Sequence, residues 1–434
     1  MKKINIIHNP YLLFFPFLVA FILFVLAFPS DGKGGDELRY LYYAQNLIHG
    51  FYSPPTPNIQ LINGPGYPII LVPFLLLKMP PISMTIFNAV LHYLSVVFLY
   101  KALKEIVSLG ITLAFSMAWA SYCIAYQNMV FIHTETLTYL LVSILIYLII
   151  KAFKNSNPNK SKKYIILTGF TLGYIVLTKM IFGYALLFML VGSGLLWLLN
   201  RGNANYRKAL MILLLGLLTT TPYLIYTYNL TGRIFFWGMG NDSLFCMSTP
   251  YEDEYGDFKL GLGLNSIEAG NYNIIGSDSV MRAHHQEDYN EINKYEGLDR
   301  DDAYKRLAIR NIKAHPIKFA QNIIYNIGRL VFHFPFSYAV QRPKILMILP
   351  INGILLTLML FSLIPTYLNW RSLPVYLKFL LILTFLYLGA SSLVTAFIRM
   401  FTIIVPILLV WIAYIFQYTI KINLKFKEDP DSET

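Results

Sequence analysis

Residues 11–50 read YLLFFPFLVAFILFVLAFPSDGKGGDELRYLYYAQNLIHG. An apolar run from Tyr11 to Phe28 gives way within a few residues to a pair of carboxylates, Asp36-Glu37. A stretch with helical spacing follows and stops at Gly50. A bilayer-crossing helix needs about 20 mostly apolar residues, and this run is long enough. It predicts a membrane span whose far end carries two acids to the water interface. Met1-Lys2-Lys3 and the run resemble the basic start and apolar core of a signal peptide, but no A-x-A-like site follows. The reading is an uncleaved first helix.

The whole chain repeats this character. Of 434 residues, 56% are apolar and only 13% charged, against about a quarter charged in ordinary soluble chains. A water-soluble enzyme, a disordered chain and a coiled coil are thereby excluded. Further apolar runs fall at 82–100, 106–125, 136–150, 164–178, 181–199, 209–227, 345–366, 376–397 and 401–420. Helix is the conformer expected of each, because lipid offers no partner to an unpaired backbone group. The predicted fold is an all-α polytopic membrane protein of about ten transmembrane helices. Its expected units are a membrane module over 1–228, a large outer loop over 229–344, a second membrane module over 345–420 and a tail over 421–434.

A net charge of +12 would suggest nucleic acid in a soluble protein; here it reads as topology, and no nucleic-acid partner is expected. With a cytoplasmic N-terminus, the inner loops and tail hold 17 Lys and Arg against five acids, and the outer side holds 18 of each. Short basic inner loops are what the positive-inside rule requires. Both termini are therefore expected in the cytoplasm, in a plasma or inner membrane. Cys123 and Cys246 are too few for a disulfide framework; they could make one bridge, and two unpaired thiols is the commoner case.

Two outer segments exceed simple turns. In 30–81, Asp36 and Glu37 open a short amphipathic helix through Leu47, and an apolar stretch at 67–79 is too short to cross. In 229–344 the first half is polar and reads as mobile. The second half predicts a helix closed by Pro316. It then predicts an interfacial helix with Phe319, Ile323, Ile324, Ile327 and Leu330 on one face and Lys318, Asn322, Asn326 and Arg329 opposite.

Asp36-Glu37 is the leading chemical candidate, since a carboxylate just outside a span can act as a base on a water-borne hydroxyl. The plainer reading is that acids favour a helix N-terminus. Lys179 and Arg399 sit in short outer links, between runs five and six and before run ten. Cations there either snorkel to headgroups or serve a site. His133 and Glu135 end an outer helix, and their i, i+2 spacing points the two side chains apart on a helix, which argues against a metal motif. Arg233 meets phosphate or headgroups. No Cys/His/acid cluster demands a metal, although the acidic outer face offers a place for a divalent cation.

The order of these motifs resembles a known family. Asp36-Glu37-x-x-Tyr40-x-x-x-Ala44 with Gly50, then Gly64-Pro65-Gly66-Tyr67-Pro68, resembles the first outer loop of GT-C glycosyltransferases. It is similar in particular to family 39 protein mannosyltransferases, aminoarabinose transferases and related lipopolysaccharide-sugar transferases. His133-Thr134-Glu135, Gly173-x-x-x-Leu177-Thr178-Lys179, Thr221-Pro222-Tyr223 through Gly232-Arg233, Ala308 to His315-Pro316, and Arg399 before Pro406 continue the resemblance along nearly the whole chain. Arg399-Met400-Phe401 departs from the usual Arg-Tyr pairing. The resemblance implies transfer of a sugar from a polyprenyl-phosphate donor to an extracytoplasmic lipid, glycan or protein acceptor, with inversion. Asp36 would then be the general base, with Glu37 positioning it or raising its pKa toward neutrality. Lys179, Arg399 and Arg233 would bind donor phosphate, and Tyr40, His133 and Glu135 would line the substrate side. A transporter or lipid flippase would place charges near the membrane midplane, usually with repeated halves. An O-antigen-polymerase-like protein is the other alternative.

Overall fold

A computed structural model describes residues 9–30, 32, 34–55, 58–238, 240–258, 278–338 and 344–419. The basic start, Lys2-Lys3, and the expected cytoplasmic tail at 421–434 lie outside the described residues.

The described residues form helices joined by turns, with no strand among them. The first run is broken into α1 (Pro10–Leu13) and α2 (Phe15–Ala27), followed by α3 (Gly35–Ile48) and α4 (Gly66–Leu76). Next come α5 (Pro81–Lys104), α6 (Leu109–Ala120), α7 (Glu135–Lys154), α8 (Pro158–Thr178), α9 (Ile181–Leu199) and α10 (Ala204–Thr231). The segment after α10 contains α11 (Asn241–Met247), α12 (Asp278–Ile292), α13 (Gly297–Ala314) and α14 (Pro316–Phe332). The chain closes with α15 (Lys344–Leu368), α16 (Val375–Ser392), α17 (Ile398–Thr402) and α18 (Val405–Tyr418).

Six helices are long and apolar enough to cross a membrane: α5, α7, α9, α10, α15 and α16. They coincide with six of the ten expected runs. The runs at 11–29, 106–125 and 401–420 form apolar helices that are shorter, α2, α6 and α18. The run at 164–178 is the apolar end of α8, whose first turns carry Lys160, Lys162 and Lys163. The stretch at 67–79 is the 11-residue helix α4.

Local chemistry sets the helix ends. Asn157 caps α8 by accepting from the amides of Asn159 and Lys160, and Pro158 takes the first helical position. Gly232, at φ 69°, ends α10 in the left-handed conformation that lacks a Cβ penalty. Helix α7 carries Glu135 at its first residue and Lys151 and Lys154 in its last turn, each sign matching the helix dipole. Lys151 pairs with Glu105 at 2.6 Å, and Lys208 donates to the Ala152 carbonyl at 3.0 Å. One end of the bundle is therefore basic, and Glu135 marks the other, about 30 Å away along a 20-residue helix.

Helices α5, α7, α8 and α10 pack in succession. Between α8 and α10 the backbones approach closely: a Cβ on Gly173 would lie 2.6 Å from the Gly216 carbonyl oxygen and 2.4 Å from the Thr219 Cβ. Gly169 and Gly173 supply the small-residue seam that lets two membrane helices touch.

The segment that holds α11 to α14 has a core of its own, formed by Phe245, Cys246, Phe258, Tyr289, Ile292, Ala303, Leu307 and Ala308. The described part of its polar first half, 240–258, is thus packed rather than free. Cys123 and Cys246 are not joined to each other, and Cys246 is buried in this core.

Helix α14 has the two faces that its spacing predicts. Its polar side faces the protein, with Asn322, Asn326 and Arg329 fully buried, and Ile317, Ile324 and Ile327 face outward. Asn322 donates to the Met247 and Thr249 carbonyls, and Arg329 donates to Tyr255 and Pro335. Asn326 donates to the carbonyls of Ser392 and Val394 and accepts from the Ala396 amide. Irregular backbone at this level needs such partners, so the amide and guanidinium groups turn inward.

Candidate active site

At the end of the bundle opposite the basic loops, four elements bring charged side chains together. Asp36 lies in the first turn of α3, fixed from both sides by arginines. Arg399 Nη2 is 2.5 Å from its Oδ2, and Arg39, one turn along α3, pairs with Oδ1. Arg399 Nε lies 3.9 Å from Glu135 Oε1. That same oxygen accepts from Lys179 Nζ at 2.7 Å. Glu135 opens α7 and Lys179 follows the last residue of α8, so each sits at the helix end whose dipole favours its charge. Arg399 Nη1 also reaches His133 Nδ1 at 3.4 Å.

The backbone around these groups is held firmly. Asn88, buried on α5, donates to the Phe131 carbonyl and accepts from Tyr67 and Thr136, which sets the 129–134 link. The Tyr139 and Thr402 hydroxyls meet at 2.6 Å, and Tyr387 donates to the Met400 carbonyl, anchoring α17 on both sides of Arg399. Gly64 and Gly66 bring the link between α3 and α4 against the end of α8. A Cβ on Gly64 would lie 2.1 Å from the Leu177 carbonyl oxygen. Tyr40 is buried beside the cluster; its hydroxyl accepts from Asn63, and its ring packs edge-on to His133.

Electrostatics sharpen the picture. Burial would raise the Asp36 carboxyl, but the guanidiniums of Arg399 and Arg39 outweigh it and hold the group well below the usual carboxylate range. Burial and Arg399 lower the His133 imidazole to about 4, against the pull of Glu135 and Asp36. The ring is neutral at physiological pH. Glu135 Oε2 is buried and has no hydrogen-bond partner among the described residues, leaving an acceptor position in the cluster.

Three sequence expectations are changed here. Asp36 and Glu37 face different partners. Glu37 accepts from the Ser30 hydroxyl, the Gly34 amide and, at 2.8 Å, the Ile132 amide. Neighbours on a helix project about 100° apart, so Glu37 ties the link before α3 to the link before α7 while Asp36 meets the arginines. The expected rise of one carboxyl toward neutrality is replaced at Asp36 by a fall. His133 and Glu135 do face one cluster, 4.0 Å apart; helical divergence does not apply because His133 precedes the first turn of α7.

Arg233 is not brought to this cluster; it makes a half-exposed pair with Asp302 at 2.8 Å. Sequence reasoning missed Arg39, although its i, i+3 spacing from Asp36 was a readable signal. It also missed Glu254, His284 and His285, the one group among the described residues that could hold a metal ion. The runs Glu252-Asp253-Glu254 and His284-His285 were the available signal. At the Asp36 cluster, two carboxylates are matched by Arg39, Lys179 and Arg399, a donor set better suited to an anion than to a further cation.

No family profile matches the chain, and no curated protein sequence matches it. Among solved structures, the Archaeoglobus fulgidus oligosaccharyltransferase, crystallised with Zn and sulfate, aligns over 92% of this chain and 48% of its own, with TM-score 0.50 and 14% identity. ArnT from Cupriavidus metallidurans, bound to undecaprenyl phosphate, aligns over 92% of this chain and 77% of its own, with TM-score 0.41 and 10% identity. The chain spans about half the length of the oligosaccharyltransferase. The likeness is one of fold: the chain shares the helical fold of the oligosaccharyltransferase and has six helices long and apolar enough to cross a membrane.

Proposed function

We propose that the chain is an integral-membrane glycosyltransferase that moves a sugar from a polyprenyl-phosphate carrier to a hydroxyl on an extracytoplasmic lipid, glycan or protein. The observation that carries this reading is the meeting of Asp36, His133, Glu135, Lys179 and Arg399 from four separate elements at one end of the bundle. The GT-C fold and the ordered motifs support the reaction class. The basic opposite end supports a cytoplasmic placement of that face.

The chemistry follows from the pairings. The donor is a phosphodiester with one negative charge. Its phosphate draws Arg399, whose fork of donors suits phosphate oxygens, away from Asp36. Released from one of its two arginines, the Asp36 carboxyl becomes more basic. The acceptor hydroxyl attacks the anomeric carbon as its proton passes to Asp36. The bond from that carbon to the phosphate oxygen breaks with inversion. The leaving polyprenyl phosphate gains a second negative charge, which Arg399 and Lys179 stabilise in a partly desolvated site. Glu135 Oε2 is placed to accept from a sugar hydroxyl.

Asp36→Asn tests the assignment. In membranes given a polyprenyl-phosphate sugar and envelope extract, polyprenyl-phosphate release should fall to background while donor binding persists. Turnover at the wild-type rate would remove Asp36 as the base. Mass spectrometry of envelope glycolipids and glycoproteins, with and without the gene, identifies sugar and acceptor. A transporter reading is disfavoured because these charges sit at helix ends, not at span midpoints.

A further inference from the structure

We infer that the outer segment holds a divalent transition-metal ion, of which zinc is the natural probe, on Glu254, His284 and His285. This inference does not depend on the proposed glycosyl transfer. The ligand atoms of the three residues lie within 4.8 Å of one another. His285 Nε2 is 2.8 Å and 2.9 Å from the two Glu254 oxygens, and His284 Nδ1 is 3.2 Å from Oε1. Adjacent residues on α12 diverge, yet both imidazoles converge on one carboxylate because one offers its near nitrogen and the other its far nitrogen. Two imidazoles and a carboxylate suit zinc, copper, nickel or iron rather than calcium or magnesium, which take all-oxygen sets.

The surroundings fix these ligands. Tyr251 stacks on His284 with centroids 3.7 Å apart, and Phe258 stacks on His285 at 3.6 Å, both nearly parallel. Tyr251 donates to the His284 carbonyl. The Thr249 and Tyr338 hydroxyls donate to Glu254, the kind of outer contact that orients metal ligands. Glu254 and His285 are buried, whereas His284 is partly open and Asp253 is half-exposed. Asp253 Oδ1 lies 3.9 Å from His284 Nδ1, so a second carboxylate flanks the open side.

Such an ion would be structural. It would join positions 254 and 284, separated by 30 residues, and so fasten α12 to the 248–258 link. That link is itself held by α14: Lys318 donates to the Glu254 carbonyl, and Arg329 donates to Tyr255 and lies 3.6 Å from Asp257. Metal binding would thus stabilise the folded outer segment, since the unfolded chain has no preformed site.

The test uses the full chain, purified in detergent, stripped with a chelator and dialysed against a modest excess of zinc chloride. Metal content by mass spectrometry should reach about one zinc per chain, and the thermal midpoint should rise by several degrees over the stripped protein. Glu254→Gln and His284→Gln should each lose most of the zinc and the zinc-dependent rise, while Asp36→Asn keeps both. His284 is the less buried of the two imidazoles, so its variant is the milder perturbation. Stripped wild-type protein that takes up no stoichiometric zinc overturns the inference without any variant. Zinc retained by both Glu254→Gln and His284→Gln also overturns it, and zinc lost from Asp36→Asn moves the site to the Asp36 cluster.

Discussion

Replacing Arg399 by alanine should weaken binding of a polyprenyl phosphate by about 10- to 100-fold. The magnitude follows from the charges at the site. Asp36 and Glu135 are matched by Arg39, Lys179 and Arg399, and His133 is neutral at physiological pH. The cluster therefore carries one net positive charge, equal and opposite to a phosphodiester. Without Arg399 that charge is gone. A hydrogen bond to a charged group contributes about 1.5–3 kcal/mol, and each 1.4 kcal/mol is about tenfold in affinity. Full Coulomb attraction at 4 Å and an effective dielectric of 20, about 4 kcal/mol, is the ceiling. Lysine at 399 keeps the charge but not the fork and should fall between. The assay is thermophoresis of the purified protein against a short-chain polyprenyl phosphate, at low and high salt. Asp36 retains Arg39 in the variant, so the fold should survive, and the thermal midpoint checks that it does. A folded Arg399→Ala protein with unchanged affinity would refute the phosphate assignment.

Glu37→Gln should behave differently from Asp36→Asn. It sets an amide against the donors of Ser30, Gly34 and Ile132, costing about 1–3 kcal/mol of stability, while donor turnover stays within about tenfold; complete loss of turnover in a folded protein would return Glu37 to the chemistry. Gly64→Ala drives a Cβ into the Leu177 carbonyl and should cost about 1–3 kcal/mol or more and displace Lys179; a wild-type midpoint and rate would contradict the close approach. His133 gives the pH dependence. Its folded-state pKa of about 4 lies below the ordinary 6.5, so the unfolded chain binds the proton first. The stability tied to it is complete above about pH 6.5 and is lost as pH falls toward 4. His133→Gln should flatten that part of the thermal midpoint profile, and identical slopes in the two proteins would refute it.

Much of the architecture was legible because it is local. A run of apolar residues in lipid has helix as its only way to pair its backbone, so six of the ten runs are spans by length and composition. Asp36 and Glu37 open α3 as N-terminal acids should, and Lys151 and Lys154 close α7 as C-terminal cations should. Glu135, Lys179 and Arg399, charges near the ends of apolar runs, were readable as candidates for the same reason.

Which charge meets which was not legible. Asp36 finds Arg399 across almost the whole chain, and Glu37, one residue on, finds Ser30 and Ile132 instead. Helix α14 shows the limit most plainly. Its sequence fixed two faces, one apolar and one polar, but not which would be buried. The protein buries Asn322, Asn326 and Arg329 because irregular segments at 247–257 and 391–396 present carbonyls and an amide that need partners. Glu254 and the pair His284-His285 likewise are ordinary surface residues until α12 packs against the preceding link. Periodicity and end charge are properties of neighbouring residues, so the sequence by itself determined the helices and the ends at which chemistry could occur. Partnership among buried polar groups depends on packing between distant segments, and only the tertiary structure decided it.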